Sequence, residues 1–213
     1  NMTLTCFKAY DIRGRLGIEL DEEIAYRIGR AYAHTLGAKA VVLGRDVRAS
    51  SKSLADSVAQ GLIDEGCEVM DLGLSGTEEM YFATTHFKAD GGICVTASHN
   101  PMDYNGMKMV RAGSAPLDAA TGLARIKELA EQNTFSAPHA NGNITDIAKE
   151  ARVAYVDRIA SFADIGALKP LKILVNAGHG TAGPTFDAIV EQLEKRGAPL
   201  KFERLFHEPD GTF

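Results

Sequence analysis

The chain has 213 residues, 45% hydrophobic and 24% charged, enough for a well-buried core in one large or two modest domains, which excludes disorder and a fibrous habit. Its net charge of -5 at pH 7 argues against a polyanion-binding surface, so no nucleic acid partner is expected, although a local Arg and Lys cluster could still hold one small phosphorylated ligand. Cys6, Cys67 and Cys94 lack Cys-x-x-Cys spacing, the first residues lack a signal-peptide pattern, and no apolar run reaches the roughly 18 residues of a membrane span. A reducing cytoplasm and no membrane association are the expectation.

In chain order, the spacing predicts a first helix over Glu22–Leu36, where Ile24, Ala25, Ile28, Ala31, Tyr32 and Leu36 recur on one face behind an acidic start. Ala40–Gly44 reads as a short strand feeding a helix over Ser53–Glu65. The pattern repeats with a strand at Glu68–Leu72, a helix near Glu78–Phe87 and a buried strand at Gly92–Thr96. Such alternation predicts a layered α/β fold, a mixed sheet flanked by helices. Asn105-Gly106 reads as a tight turn releasing a strand that carries Lys108 and Arg111, ahead of a helix around Leu117–Glu131.

Asn133–Asn143, rich in Ser, Pro, Gly and Asn, reads as a linker and separates an expected first domain (1–145) from the N-terminal part of a second, related but incomplete α/β domain (146–213). There, a helix near Ile147–Phe162 precedes a strand at Leu171–Val175, a glycine turn at Asn176-Ala-Gly-His179-Gly, a helix over Thr185–Arg196 and a strand at Leu200–Phe206.

Ligands of an open α/β sheet gather beyond the carboxyl ends of its strands, and Thr96-Ala-Ser98-His99-Asn100-Pro101 occupies such a loop. Turn chemistry alone makes this an ordinary Asn-Pro turn, and adjacent Ser and His do not make a hydrolase triad, because the base must reach the hydroxyl in space. Tyr104-Asn-Gly-Met-Lys108 follows closely enough to bring an ammonium near the serine, and Phe7-Lys-Ala-Tyr10-Asp11-Ile-Arg13-Gly14 offers a second cation. Arg45, Asp46 and Arg48 fit a charged network propping the serine loop, and Ser75 with Glu78 fits a helix capping box. His34, His86, His139 and His207 show no metal-ligand spacing.

Taken together, Ala-Tyr-Asp-Ile-Arg-Gly, Gly44-Arg-Asp-x-Arg48 and Thr-Ala-Ser-His-Asn-Pro-x-x-Tyr-Asn-Gly-x-Lys resemble the α-D-phosphohexomutase family, and the Phe-Lys-Ala-Tyr-Asp start resembles its phosphomannomutase/phosphoglucomutase branch. The resemblance implies interconversion of hexose 1-phosphate and 6-phosphate through a phosphoserine and a bisphosphorylated sugar. It makes Ser98 the phosphoryl carrier and a magnesium ligand. Lys108 and Arg13 fall beside the reacting phosphate as catalytic and substrate-binding residues, and Tyr10, His99 and Asn100 as substrate-binding residues. Hexose phosphate is the implied substrate, Mg2+ the implied cofactor and a sugar bisphosphate the implied activator.

The family's acidic metal loop, sugar-selecting loop and terminal phosphate-binding domain have no counterpart here. The remainder of the parent chain, beyond Phe213, is therefore the expected partner that completes the site, and little activity is expected of residues 1–213 alone. A Ser-His hydrolase and a noncatalytic phosphosugar-binding module are the competing readings.

Overall fold

The structure, a computed structural model, describes residues 2–162, the strands Leu171–Asn176 and Leu200–Leu205, and Glu191. Helix α1 (Glu22–Leu36) forms where the periodicity places it. Asp21 caps it by accepting from the Ile24 N–H at 2.8 Å, Glu22 and Glu23 occupy the positive end of its dipole, and Gly37 ends it at φ 58°.

Six strands make one mixed sheet: β1 (Ile12–Arg15), β2 (Ala40–Arg45), β3 (Glu68–Leu74), β4 (Gly91–Val95), β5 (Tyr104–Arg111) and β6 (Asn143–Asp146), in the order β1-β5-β4-β2-β3-β6. The strands β4, β2, β3 and β6 run parallel, while β5 is antiparallel to both β4 and β1. From β2 the chain moves outward through α2 (Ala49–Asp64) to β3, then returns over β2 through α3 (Thr77–His86) to β4. Right-handed crossovers taken in opposite directions put α2 and α3 on opposite faces. The loops after β2 and β4 therefore meet where the direction of winding reverses, the position at which α/β sheets open a crevice.

Each face has its own core. On one, Ile28 and Tyr32 of α1, Leu54, Val58 and Leu62 of α2 and Ile126 of α4 (Ala124–Gln132) pack on Val41, Ile93 and Met107. Helices α1 and α2 touch backbone to backbone at Gly29 and Gly61, where a Cβ on either residue would overlap a main-chain carbonyl. On the other face, Met80 and Ala83 of α3 and Ala151 of α5 (Ala148–Phe162) cover Val42, Cys94 and Val110. Burial pushes the Cys6 thiol up to about 11 and those of Cys67 and Cys94 up to about 12, so all three are neutral packing groups at neutral pH.

Three details depart from the sequence pattern. Asn105-Gly106 is not a turn: both residues lie within β5 and are buried, and Gly106 is required because a Cβ there would overlap the Ile12 carbonyl of the neighbouring strand. Ser75 and Glu78 form no capping box, since α3 starts after Gly76 without a side-chain cap and the Ser75 hydroxyl is buried without a hydrogen-bond partner among the described residues. Residues 133–142 are tied to α1 by the Arg30 guanidinium, which donates to the Ser136 carbonyl at 2.7 Å, and lead into β6 on the sheet edge, a strand the pattern does not announce.

The helix expected around Leu117–Glu131 begins as a wide turn at Ala119–Leu123, capped reciprocally by Asp118 and Thr121, before α4. Strands β7 (Leu171–Asn176) and β8 (Leu200–Leu205) pair in parallel. The expected glycine turn after Asn176, the helix over 185–196 and His207 lie outside the described residues. No helix among the described residues is long and apolar enough to cross a membrane.

Candidate active site

Arg13, Ser98, Asn100 and Lys108 line one cleft of about 90 Å³, together with Asp11, Ile12, Thr96, Ala97 and Met107. Three segments build it: the chain entering β1, the loop joining β4 to β5, and β5 itself. In the β1–β5 register Arg13 lies opposite Gly106, and continuing that register sets Asp11 opposite Lys108. Asp11 and Arg13 are two residues apart and share a face, so a carboxylate and two cations converge beside a glycine that adds no side chain. The Lys108 ammonium donates to Asp11 Oδ2 at 2.7 Å. The Arg13 guanidinium is exposed and has no hydrogen-bond or ion-pair partner among the described residues.

Ser98 is exposed and adopts φ 53°, left-handed backbone that a residue with a Cβ rarely takes. Short local bonds fold the loop around it. The Ser98 N–H donates to Thr96 Oγ1 at 3.0 Å, and the Asn100 side-chain amide donates to the Ala97 carbonyl at 2.8 Å. The loop is then gripped from the turn after β2. Asp46 Oδ2 accepts from the Ala97 N–H at 3.0 Å, and the Asp46 N–H donates to the Val95 carbonyl at 2.9 Å. The buried Arg48 guanidinium donates to the carbonyls of Asn100, Pro101 (2.6 Å) and Tyr104 (3.4 Å).

The expected prop therefore has two members, Asp46 and Arg48. The Arg45 side chain makes no hydrogen bond or ion pair among the described residues, its carbonyl instead accepting from the Ser75 N–H.

Tyr10 and His99 stand apart from the cleft. Tyr10 is 69% exposed at the tip of a reversal closed by the Phe7–Ile12 bridge and the Lys8 N–H to Asp11 carbonyl bond. His99 is exposed and makes no hydrogen bond to Ser98 among the described residues, so the pair lacks the contact a Ser-His nucleophile needs. Asp11, which holds Lys108, and behind the loop Ser51, which donates to Asp46, and Asn105, which donates to Ser51, belong to the constellation although no sequence motif singles them out. The signal for Asn105 was a polar residue inside an apolar strand, masked by the turn preference of Asn-Gly.

Beneath the cleft, Cys94 lies directly across from Lys108 in the β4–β5 register, and its thiol is held neutral chiefly by burial, with the Asp46 carboxylate adding to the effect. Burial likewise raises Tyr81, while Lys108 pulls it the other way. The arrangement can hold a dianion on or beside Ser98 between two cations. A magnesium ion is less well served. Ser98 supplies one oxygen, and among the described residues no group of three or more His, Cys, Asp or Glu side chains comes together to complete an octahedral shell.

A family model described as phosphoglucomutase/phosphomannomutase, alpha/beta/alpha domain I, matches residues 5–137. The chain is 54% identical over 212 residues to a phosphomannomutase of Salmonella typhimurium and 51% identical over 212 residues to one of Escherichia coli, in each case across 99% of this chain and 46% of the relative. The crystal structure of a phosphoglucomutase/phosphomannomutase family protein from Burkholderia thailandensis matches with a TM-score of 0.81 at 34% identity, over 97% of this chain and 44% of that one. The chain thus spans about half the length of the curated relatives it matches.

Proposed function

The chain belongs to the phosphoglucomutase/phosphomannomutase family, and from that premise we propose that its full-length protein interconverts hexose 1-phosphate and 6-phosphate, of mannose or glucose, with Ser98 as the phosphoryl carrier. The observation that carries this reading is the exposed, left-handed Ser98, in a loop gripped on either side of it by Asp46 and Arg48, in a cleft with Arg13 and Lys108.

In the forward step, a free hydroxyl of the sugar phosphate attacks the phosphorus on Ser98. One P–O bond forms to the sugar and the bond to Ser98 Oγ breaks. The hydroxyl proton leaves the sugar, and the serine oxygen ends as a hydroxyl. The bisphosphate then turns end for end and returns its other phosphoryl group to Ser98. Phosphoryl transfer of this kind depends on in-line positioning and on cations around a loosely bonded phosphorus.

Lys108 and Arg13 supply those cations from within the cleft. Because Asp11 already holds the Lys108 ammonium, a phosphoryl group arriving on Ser98 meets an oriented cation rather than a freely rotating chain. Asn100 borders the same space, while Tyr10 and His99 reach a bound sugar phosphate from outside the cleft. Magnesium, if bound, would neutralise charge on the phosphoryl oxygens, and Ser98 would offer it one oxygen. A sugar bisphosphate serves as activator by recharging Ser98.

The reading is tested by following mannose 1-phosphate and glucose 1-phosphate with the full-length protein by 31P NMR. We expect a 6-phosphate signal to grow to equilibrium, faster when a trace of hexose bisphosphate is added. Failure to convert either sugar, with bisphosphate present, would reject the proposal.

A further inference from the structure

We infer that Asn105 and Ser51 are positioning residues for Ser98, the buried end of a hydrogen-bonded relay that runs from strand β5 through Asp46 to the Ala97 amide. The inference rests on Ser98 as the phosphoryl carrier and adds how its loop is held.

Donor and acceptor accounting fixes the direction of the relay. Asn105, the second residue of β5, is 0% exposed, and its oxygen accepts from the Gly106 N–H at 2.8 Å, which turns the NH2 group toward α2. That NH2 donates to Ser50 Oγ at 2.8 Å and to Ser51 Oγ at 2.9 Å, using both of its hydrogens. Ser51, also 0% exposed, has one proton, and it donates that proton to Asp46 Oδ1. The same carboxylate oxygen takes the Arg48 N–H at 3.1 Å, so Oδ2 is left to accept from Ala97, the residue before Ser98. The Asn105 bond polarises the Ser51 hydroxyl, and Ser51 in turn fixes the orientation of the Asp46 carboxylate, whose Oδ2 takes the charge-assisted bond from Ala97.

Placement explains why this matters for the reaction. Side chains alternate along β5, so Asn105 and Met107 face the α2 side and Lys108 faces the other. One strand thus carries the cation of the cleft on its front and the anchor of the serine loop on its back. The spacing between Ser98 and Lys108 is then set by a rigid strand and a closed set of bonds, whereas the loop's own bonds fix only its internal shape. Asn meets the geometry because Asp lacks the two hydrogens and would set a second carboxylate against the single Ser51 proton, and Leu lacks both donor and acceptor.

The relay is tested in the full-length protein with Ser51→Ala, a small change in the first turn of α2, and independently from the strand end with Asn105→Ala. Hydrogen exchange at the Ala97 amide reads the relay, and single-turnover phosphoryl transfer from Ser98 reads its consequence. We expect exchange at Ala97 to rise and kcat to fall, each about tenfold in Ser51→Ala as one charge-assisted bond weakens, with KM within twofold. Unchanged exchange, or raised exchange with wild-type kcat in a folded variant, would overturn the inference. A fall in kcat matched by loss of the folded fraction would do the same, because it marks a merely structural role. Should the wild-type protein carry no phosphoryl group on Ser98, the mutase reading fails first and positioning for phosphoryl transfer fails with it, while exchange at Ala97 still reports separately whether the bonds hold the loop.

Discussion

Replacing Ser98 by alanine in the full-length protein is expected to lower mutase turnover by a factor of about 10³ or more, because the covalent route is lost and no neighbouring group replaces it. The nearest alternatives are poor ones. The Cys94 thiol is buried and neutral, Thr96 Oγ1 is occupied by the Ser98 N–H, and His99 does not line the cleft. The fold should be indifferent to the change. Ser98 is exposed, its hydroxyl makes no hydrogen bond among the described residues, and alanine meets a backbone constraint at φ 53° similar to that met by serine. Stability should move by less than about 0.5 kcal/mol, measured by denaturant unfolding beside the activity assay. Retained turnover in a folded Ser98→Ala protein would remove the serine from the mechanism.

The second large effect is expected at Lys108. Lys108→Met keeps much of the aliphatic stem and removes the ammonium, and turnover should fall by about 10²-fold or more, the usual cost of deleting one preorganised charge partner of a transition state. Two causes combine. The moving phosphoryl group loses a cation, and Asp11 loses its partner at 2.7 Å and presents an uncompensated carboxylate to an anionic substrate. The double variant Lys108→Met/Asp11→Asn separates them, since it should recover the part due to repulsion and leave the part due to the missing cation. The ion pair itself is substantially exposed on its lysine side, so its contribution to stability is at most about 1 kcal/mol and folding should survive both changes. Comparing kcat and KM of the two variants provides the check.

Much of the fold is legible in the chain because its elements are amphipathic in the ordinary way. Helix α1 begins at an Asp cap and ends at a glycine, and Ile24, Ala25, Ile28, Ala31 and Tyr32 of its apolar spacing are all buried, with Leu36 at its end half-buried. Strand β4 is buried along its whole length, which is why a short glycine and β-branched run reads as a strand. Strand β6 is illegible for the opposite reason. All four of its residues are exposed at the sheet edge, so no apolar alternation marks it, and backbone pairing with β3 makes it a strand.

At the site, Ser98, Arg13 and Lys108 stand out because their motifs are long, and the chain brings all three to one cleft. What holds them there was less visible. Asn105 misleads because Asn-Gly favours a turn in isolation, yet here the glycine answers a close approach by Ile12 and the asparagine answers the buried Ser51 and the half-buried Ser50. Ser75 misleads likewise, since a capping box requires its side chain to turn back on α3, and in the fold it points into the core. Both errors arise where tertiary contacts decide a role that local preference assigns elsewhere.

The most direct test of Ser98 as carrier is a single-turnover transfer experiment. Full-length protein bearing a 32P-labelled phosphoryl group on Ser98 is mixed with unlabelled mannose 1-phosphate and quenched over time. The label should leave Ser98 and appear first in mannose bisphosphate, at a rate no slower than kcat. Label that stays on the protein through many turnovers, or that leaves only as inorganic phosphate, would contradict the account.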